Sequence, residues 1–306
     1  MGKKASRINR YSQTAPLLAQ TRRLLRRSGL RARKGLAQHF LIDEEVLNLI
    51  VSAANLTPAD IIMEIGPGLG VLTQELAKRA GHVIAIELDD KLAEVLKQRM
   101  SSFSNVTIIN ADVLEIDPAA ILKEHRGEFP QGEGIALRYK VVANLPYYIT
   151  SAVLRHFLEA SLKPESLVVM VQKEVAEAIA AEPGRMSLLS VSVQFYGEPR
   201  IVGQVAAACF YPAPEVDSAL LRIDVYTQPA APVADERGFF DLVRAGFSAA
   251  RKQIANSLAQ GLDRPRAEVL PLLERAGISP QRRAETLTLG EWGRLWGEYK
   301  KAGESC

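Results

Sequence analysis

The chain has 306 residues, 47% of them hydrophobic and 24% charged, a composition that excludes a fibrous repeat and a wholly disordered chain. No run approaches the roughly 18 apolar residues of a membrane span, and the first thirty residues contain no apolar signal core, so we expect a cytoplasmic protein without membrane segments. The two cysteines, Cys209 and Cys306, lie far apart and outside any Cys/His cluster, so neither a disulfide scaffold nor a metal site is expected.

The net charge of +3 is unevenly distributed along the chain. Residues 1–35 carry 11 Lys and Arg and no acid, residues 36–228 carry 15 basic and 25 acidic residues, and residues 229–306 carry 12 and 10. A basic arm on an acidic body is typical of nucleic-acid binding, because each neutralised phosphate releases counterions. A solvated tail and an organellar presequence are the alternatives for this arm.

Short apolar runs alternate with helical patterns between residues 43 and 185. The run Ile61–Ile65 ends at glycines, and Leu72, Leu76 and Ala80 follow at helical spacing. Four more runs of buried-strand type occur at residues 82–87, 106–109, 140–143 and 167–171. This alternation predicts an α/β fold, with a parallel sheet covered by helices on both faces. A polar stretch between Leu122 and Tyr139 predicts a surface loop.

The pattern changes after residue 186. Ser190–Tyr196 and Ala219–Val225 alternate like antiparallel strands at a sheet edge, and the prolines within residues 227–232 indicate a linker. Apolar residues then recur at helical spacing around Phe239, Ile254 and Val269, which predicts a small all-helical domain. We therefore predict three parts: a flexible basic arm at 1–32, a catalytic domain at 33–228 and a helical domain at 233–306.

Three glycines follow the first predicted strand, in the segment Glu64–Gly70. Their GxGxG spacing allows a tight turn and a close ligand, but it is neither GxGxxG nor a P-loop, so a pyrophosphate cradle is disfavoured. Glu87 ends the second strand, where a carboxylate can accept ribose hydroxyls, and Asp112 follows the third, placed to meet an adenine amine. These features favour S-adenosylmethionine over NAD, and a helix cap is the alternative for Asp112 taken in isolation.

The segment Asn144-Leu145-Pro146-Tyr147 directly follows the fourth predicted strand. The lone pair of an adenine amine is delocalised into the ring, so a methylating enzyme must hold the amine hydrogens with acceptors. The side-chain oxygen of Asn144 and a main-chain carbonyl of Leu145 or Pro146 would accept them, and Tyr147 offers a face on which the base can stack. An ordinary Asn-x-Pro turn is the alternative, and it is disfavoured by the glycine loop and acids upstream.

Motifs along most of the chain, from about Arg33 to Trp296, resemble the small-subunit ribosomal RNA adenine dimethyltransferase family, a relative of the erythromycin-resistance methyltransferases and of mitochondrial transcription factor B. The motifs that carry the resemblance are residues 35–43 (GLAQHFLID), 64–70 (EIGPGLG), Glu87, Asp112, 144–147 (NLPY), 210–219 (FYPAPEVDSA) and 282–289 (RRAETLTL).

The resemblance implies a Rossmann-like class I S-adenosylmethionine-dependent methyltransferase sheet with an antiparallel edge strand, followed by a small helical domain. It implies dimethylation of N6 in two adjacent adenosines of the 3′-terminal hairpin of 16S rRNA, late in small-subunit assembly, by a monomeric enzyme. It places His39, Leu41, Gly66, Gly68, Glu87, Asp112 and Asn144 at the cofactor, and Asn144, Tyr147 and Phe210 at the target base.

His39 stands where many relatives have Asn, and both His39 and Phe210 are equally consistent with core positions. The basic arm is longer than the usual family lead, so its role is open. In the helical domain the candidates for phosphate contacts are Arg244, Arg251, Lys252, Arg282 and Arg283. The alternative functions are adenine methylation of 23S rRNA or of DNA, and an assembly or transcription factor that uses the same fold.

Overall fold

The computed structural model describes residues 7–8, 15–30, 38–129, 137–249 and 251–304. Spatial clustering divides the chain into two compact units. The first comprises Met1–Ala176 and Arg200–Val225, and the second comprises Glu177–Pro199 and Tyr226–Cys306. In the described ranges, no helix is long and apolar enough to cross a membrane.

The first unit is organised by a large β-sheet. The strands are β1 Arg7–Ile8, β2 Phe40–Leu41, β3 Ile61–Ile65, β4 His82–Glu87, β5 Val106–Asn110, β6 Lys140–Asn144, β7 Ser166–Gln172, β8 Gly197–Val205, β9 Phe210–Tyr211 and β10 Ser218–Val225. Eight of them form this sheet in the order β1-β8-β10-β7-β6-β3-β4-β5. Neighbours from β7 to β5 are parallel, β10 runs antiparallel to β7, and β1 runs parallel to β8. A two-stranded antiparallel sheet joins β2 to β9.

The central strands β3 and β4 are buried at every position, as continuous apolar runs covered on both faces require. Helices begin where the sequence supplies a cap: Asp43, Asp89 and Asp117 each accept a backbone N–H of the first helical turn. The helices are α1 Ala15–Arg27, α2 Glu44–Ala54, α3 Val71–Ala77, α4 Asp90–Met100, α5 Pro118–Glu124, α6 Thr150–Leu158 and α7 Lys173–Ile179, with 3₁₀ turns at Arg126–Glu128, Tyr147–Ile149 and Ala207–Cys209.

The second unit is helical and has an aromatic core. The ring of Phe195 lies 4.9 Å from that of Phe239, and Gly246 allows Trp292 to pack against the helix backbone, since a Cβ there would lie 2.3 Å from the indole. The predicted helices around Phe239, Ile254 and Val269 are confirmed. The helices are α8 Leu188–Gln194, α9 Glu236–Phe247, α10 Ile254–Gly261, α11 Arg266–Arg275 and α12 Leu289–Glu304, with a 3₁₀ turn at Ala284–Thr286.

The predicted strand at Ser190–Tyr196 is wrong, since α8 covers most of it. Ser187 caps this helix by a reciprocal hydrogen-bond pair with Ser190, a local signal that overrides the alternating pattern. The predicted strand Ala219–Val225 is confirmed as part of β10.

The division into units also differs from the predicted boundaries, because Glu177–Pro199 clusters with the helical unit. Phe195 packs on Phe239 there, and the Tyr196 hydroxyl donates to Glu236.

The basic arm, predicted to be flexible, contains α1 in its described part. Leu17 and Leu25 of α1 are buried, so this helix is anchored to the first unit. Other predictions lie outside the described residues: the charges at 1–6, 9–14 and 31–37, the centre of the loop at 130–136, and Cys306. Cys209 is a free, buried thiol whose pKa burial raises to about 12.

Candidate active site

A cavity opens at the carboxyl ends of β3, β4 and β6, where the sequence predicts a ligand. The structure brings every predicted cofactor and target residue of the catalytic domain to its wall. These residues are His39, Leu41, Gly66, Gly68, Glu87, Asp112, Asn144, Tyr147 and Phe210.

The glycine loop forms the floor of this cavity. Gly66, Gly68 and Gly70 all have positive φ values, 66°, 56° and 75°, which side chains with a Cβ rarely adopt. A Cβ at Gly66 would find no protein atom closer than the Asn144 carbonyl oxygen, 4.0 Å away. At Gly70 a Cβ would lie 2.4 Å from Leu96. Gly66 therefore leaves ligand space in the cavity, whereas Gly70 is required by packing.

Glu87 ends β4 with its side chain only 6% exposed. One carboxylate oxygen accepts the N–H of Gly68 at 2.9 Å, and the other accepts the N–H of Asp89 at 2.9 Å. Burial nevertheless raises the pKa of Glu87. Because a carboxylate offers about four lone-pair sites, these bonds orient Glu87 and leave acceptor capacity for ligand hydroxyls.

Asp112 follows β5 and has a weaker anchor. Its Oδ1 accepts the N–H of Leu114 at 2.9 Å, which makes it the cap of a turn as well as a residue of the cavity wall. The capping alternative raised by the sequence is thus present together with the predicted position at the cavity.

Asn144 is oriented by a contact that joins distant segments. Its Nδ2 donates to the main-chain carbonyl of His39 at 3.0 Å. Since that carbonyl can only accept, the amide orientation is determined, and Oδ1 is the end directed away from His39. The geometry therefore supplies a fixed side-chain acceptor beside the glycine loop.

His39 is held in turn by the segment after β9. Its Nδ1 lies 2.7 Å from the carbonyl oxygen of Pro212, so Nδ1 carries the proton and donates. The imidazole stacks on the ring of Tyr147, with centroids 6.0 Å apart and planes 24° apart. The aromatic partner of Tyr147 is thus His39.

Tyr147 is also fixed at its hydroxyl, which lies 2.8 Å from that of the buried Ser218. Burial raises the pKa of Tyr147. Phe210 is 3% exposed and belongs to the hydrophobic core while it also lines the cavity. Both alternatives given for Phe210 from the sequence, core and cavity wall, therefore hold at once.

Glu64 is a cavity residue that sequence reasoning did not assign. It is 1% exposed, and its Oε2 has no partner with hydrogen-bond geometry among the residues that the structure describes. Burial, together with the nearby Glu87 carboxylate, raises the pKa of Glu64 to about 8, although the nearby Thr73 hydroxyl acts in the opposite direction. The signal available in the sequence was an acid inside an otherwise apolar strand, which is rare without a functional partner.

The helical unit holds the other predicted contacts. Arg282 forms an ion pair with Glu291 and donates to the hydroxyl and carbonyl oxygens of Thr286, so it organises its own loop. Arg244 is paired with Asp241, and the Lys252 ammonium donates to the Gln260 side chain at 3.2 Å. Arg283 is exposed and lies 3.7 Å from the Glu285 carboxylate, and Arg251 is exposed.

Comparison with known proteins identifies relatives over nearly the whole chain. The sequence model described as ribosomal RNA adenine dimethylase matches residues 29–301. Ribosomal RNA small subunit methyltransferase A of Dehalococcoides mccartyi strain CBDB1 is 52% identical over 290 residues, 95% of each chain. The protein of the same name from Pelotomaculum thermopropionicum is 44% identical and covers 93% of this chain and 97% of its own.

Two solved structures have a similar fold. The 23S rRNA methyltransferase ErmE superposes with a TM-score of 0.65 at 30% identity, over 85% of this chain and 99% of its own. A dimethyladenosine transferase from Plasmodium falciparum superposes with a TM-score of 0.71 at 23% identity, over 87% and 98%. The predicted fold class is confirmed by these neighbours.

Proposed function

Because the chain belongs to the ribosomal RNA adenine dimethylase family, we propose that it dimethylates N6 of two adjacent adenosines in the 3′-terminal hairpin of 16S rRNA. The family fixes the coarser function: an enzyme that transfers methyl groups from S-adenosylmethionine to rRNA adenine. The small-subunit substrate is favoured by relatives that are named for this subunit and are up to 52% identical over 95% of the chain. We place this activity in the cytoplasm, on precursor small subunits, with the enzyme acting as a monomer.

The cavity residues fit S-adenosylmethionine. At Gly66 the cavity has space that a side chain would fill, and Glu87 retains acceptors for ribose hydroxyls. Asp112 lines the same cavity, where its carboxylate would accept a hydrogen bond from the adenine amine of the cofactor. The unpartnered, buried Oε2 of Glu64 suits the positive charge of the methionine portion. When bound, the sulfonium supplies an activated methyl group, so the protein needs mainly to align the acceptor nitrogen.

The observation that carries this proposal is the fixed amide of Asn144. Its Oδ1 would accept one hydrogen of the adenine amine, and the carbonyl of Leu145 or Pro146 would accept the other. The Pro146 oxygen already accepts the N–H of Ile149 at 3.2 Å, which leaves it one lone pair. Holding both hydrogens draws the nitrogen lone pair out of conjugation and towards the methyl donor.

Stacking would hold the target base in this position. A flipped adenine needs an aromatic face, and Tyr147 supplies one that is fixed by Ser218 and backed by His39. We propose Phe210 as the second surface that closes on the base. In the helical unit, our proposed rRNA contacts are Arg251, Lys252, Arg282 and Arg283. Arg251 is the strongest candidate, because the other three already contact Gln260, Glu291 and Glu285, respectively.

Two other functions are alternatives to this proposal. The 30% identity to ErmE makes 23S rRNA the second candidate, and an assembly role without catalysis is the third. Intact Asn144, Tyr147 and Glu87 weigh against lost catalysis.

The test is transfer of labelled methyl groups from S-adenosylmethionine to undermethylated small subunits, with large subunits and naked rRNA as controls and nucleoside analysis of the product. We expect dimethyladenosine only in small-subunit rRNA. Label in large-subunit rRNA would instead support methylation of 23S rRNA. Cofactor binding without methyl transfer to any substrate would support the assembly role.

A further inference from the structure

The helix α1 lies in the basic arm and ends at Arg27, before the family match begins at residue 29. It is amphipathic: Leu17 and Leu25 are buried, whereas its four arginines are exposed. None of these arginines forms an ion pair with an acid in the part of the chain that the structure describes. The four are Arg22, Arg23, Arg26 and Arg27.

The apolar side of α1 packs on the wall of the active-site cavity. Leu25 forms a cluster with Phe40, Leu69 and Leu92, and all three of these partners line the cavity. The helix ends in a left-handed turn at Gly29, with Leu30 donating its N–H to the Leu25 carbonyl at 2.9 Å. The position of the charged side of α1 is therefore fixed relative to the cavity.

A groove runs between the end of α1 and the segment formed by Tyr211 of β9 and the following Pro212. Arg22 and Arg26 line it from the helix, and Tyr211 and Pro212 line it from the other side. The Arg22 guanidinium lies 5.0 Å from the centre of the Tyr211 ring, a cation–π contact. The remaining lining residues are Leu25, Gly29 and Leu30.

This groove, here called the α1 groove, adjoins the active site through β9. Phe210 lines the cavity, and the next residue, Tyr211, lines the groove. Pro212 lines the groove, and its carbonyl accepts a hydrogen bond from Nδ1 of His39, whose ring stacks on Tyr147 inside the cavity. The segment Phe210–Pro212 therefore forms a wall that the cavity and the α1 groove share.

The chemistry of the α1 groove suits an RNA backbone. A base turned into the cavity leaves its flanking phosphates at the mouth. Arg22 and Arg26 present guanidinium forks, which match phosphate, and Tyr211 adds an aromatic surface for a neighbouring base. Residues 36–228 carry ten more acids than bases, so the arginines of α1 add positive charge to a part of the chain whose net charge is negative.

We propose that the α1 groove is a second RNA-contact surface, which holds the phosphate backbone next to the adenosine in the cavity. The inference rests on the proposed function, since it assumes an RNA substrate in that cavity. On this proposal α1, which belongs to the basic arm, helps to position the substrate strand.

A pair of double variants tests this inference with equal loss of charge. Arg22→Gln with Arg26→Gln removes the groove cations, whereas Arg23→Gln with Arg27→Gln removes two exposed cations of the same helix that do not line the groove. The dissociation constant for undermethylated small subunits is measured over a series of KCl concentrations. Loss of two phosphate contacts should lower the slope of log Kd against log salt by about 1.5, and only for the groove pair.

Further measurements separate the possible failures. Affinity for S-adenosylmethionine should be unchanged in both doubles, and Arg22→Lys with Arg26→Lys should recover most of the slope because it retains the charge. Equal effects of the two doubles, or no effect of either, would overturn the groove assignment. If the unmodified protein methylates no rRNA, the proposed function fails, and this result is read from the methylation assay independently of the binding slopes.

Discussion

The two sides of the active-site cavity are fixed in different ways. On the side of the glycine loop, the Glu87 carboxylate accepts hydrogen bonds from the N–H groups of Asp89 and Gly68, which are 2 and 19 residues away in the chain. On the side of Asn144, the hydrogen bonds span greater separations: 105 residues from Asn144 to His39 and 173 from His39 to Pro212. The geometry of the glycine-loop side is set by the ends of neighbouring strands. The geometry of the Asn144 side forms only when segments far apart in the chain have folded together.

This difference suggests a division of work between the two sides. Strand ends of a parallel sheet give a ligand pocket whose shape depends little on the rest of the molecule. The remote contacts orient the groups that would meet the target amine, where small displacements strongly reduce rate. We therefore expect changes at the glycine-loop side to alter cofactor affinity, and changes at the Asn144 side to alter turnover.

The largest expected effect is that of Asn144→Ala. Without the side-chain acceptor, methyl transfer should fall by a factor on the order of 10²–10³, as when one preorganised hydrogen-bonding group is removed from an active site. Cofactor affinity should change only slightly, because the glycine loop and Glu87 are untouched. Single-turnover transfer rates and calorimetric cofactor titration measure the two effects separately.

Asn144→Asp is the matched control for this prediction. It keeps side-chain oxygens but cannot donate to the His39 carbonyl, so it tests whether the orientation of the acceptor matters as well as its presence. Full turnover by Asn144→Ala would contradict the acceptor role assigned to Asn144, and full turnover by Asn144→Asp would show that the hydrogen bond to His39 is not needed to orient the acceptor.

The next prediction concerns the stability contributed by Glu64, whose folded pKa of about 8 stands above its ordinary value of 4.5. Between these values the folded protein keeps a proton that the unfolded chain releases, so stability falls as pH rises from 4.5 to about 8. Glu64→Gln, which resembles the protonated acid, should be more stable than the parent by a few kcal/mol at pH 8 and by little at pH 5.

Urea unfolding at the two pH values measures this difference. Addition of S-adenosylmethionine sharpens the comparison, because a bound cation should stabilise the parent more than Glu64→Gln at pH 8. A gap between parent and variant that does not change with pH would show that Glu64 is not protonated in the folded cavity.

Glu87→Ala should weaken cofactor binding by roughly 1–3 kcal/mol, or about 5- to 150-fold, the usual effect of removing a charged hydrogen-bond partner. It also leaves the N–H groups of Gly68 and Asp89 without their acceptor. Asp112→Asn is a useful comparison, since Asp112 is less buried and its loss should weaken binding less. Unchanged cofactor affinity of Glu87→Ala would disprove the ribose role.

Features set by local sequence were predictable, whereas features that depend on remote contacts were not. The strands Ile61–Ile65 and His82–Glu87 agree with prediction at both ends, because a buried parallel strand is a local apolar run closed by glycine or acid. The predicted strand Ser190–Tyr196 was wrong, since the capping pair of Ser187 and Ser190 stabilises a helix there. At the site, the residue types were predictable, but the bond from His39 to Pro212 was not, because no local pattern specifies a contact across 173 residues.

The smallest expected effect belongs to the hydroxyl of Tyr147. Tyr147→Phe keeps the ring that stacks on His39 but removes the 2.8 Å bond to Ser218, whose side chain is fully buried and would lose that partner. We expect turnover to fall less than tenfold and stability to fall by about 1–2 kcal/mol, with cofactor affinity unchanged. Ser218→Ala removes the same bond from the other side and should match it in turnover. If Tyr147→Phe instead weakened cofactor binding while Ser218→Ala did not, the Tyr147 hydroxyl would serve the cofactor, and the division between the two sides of the cavity would not hold at this residue.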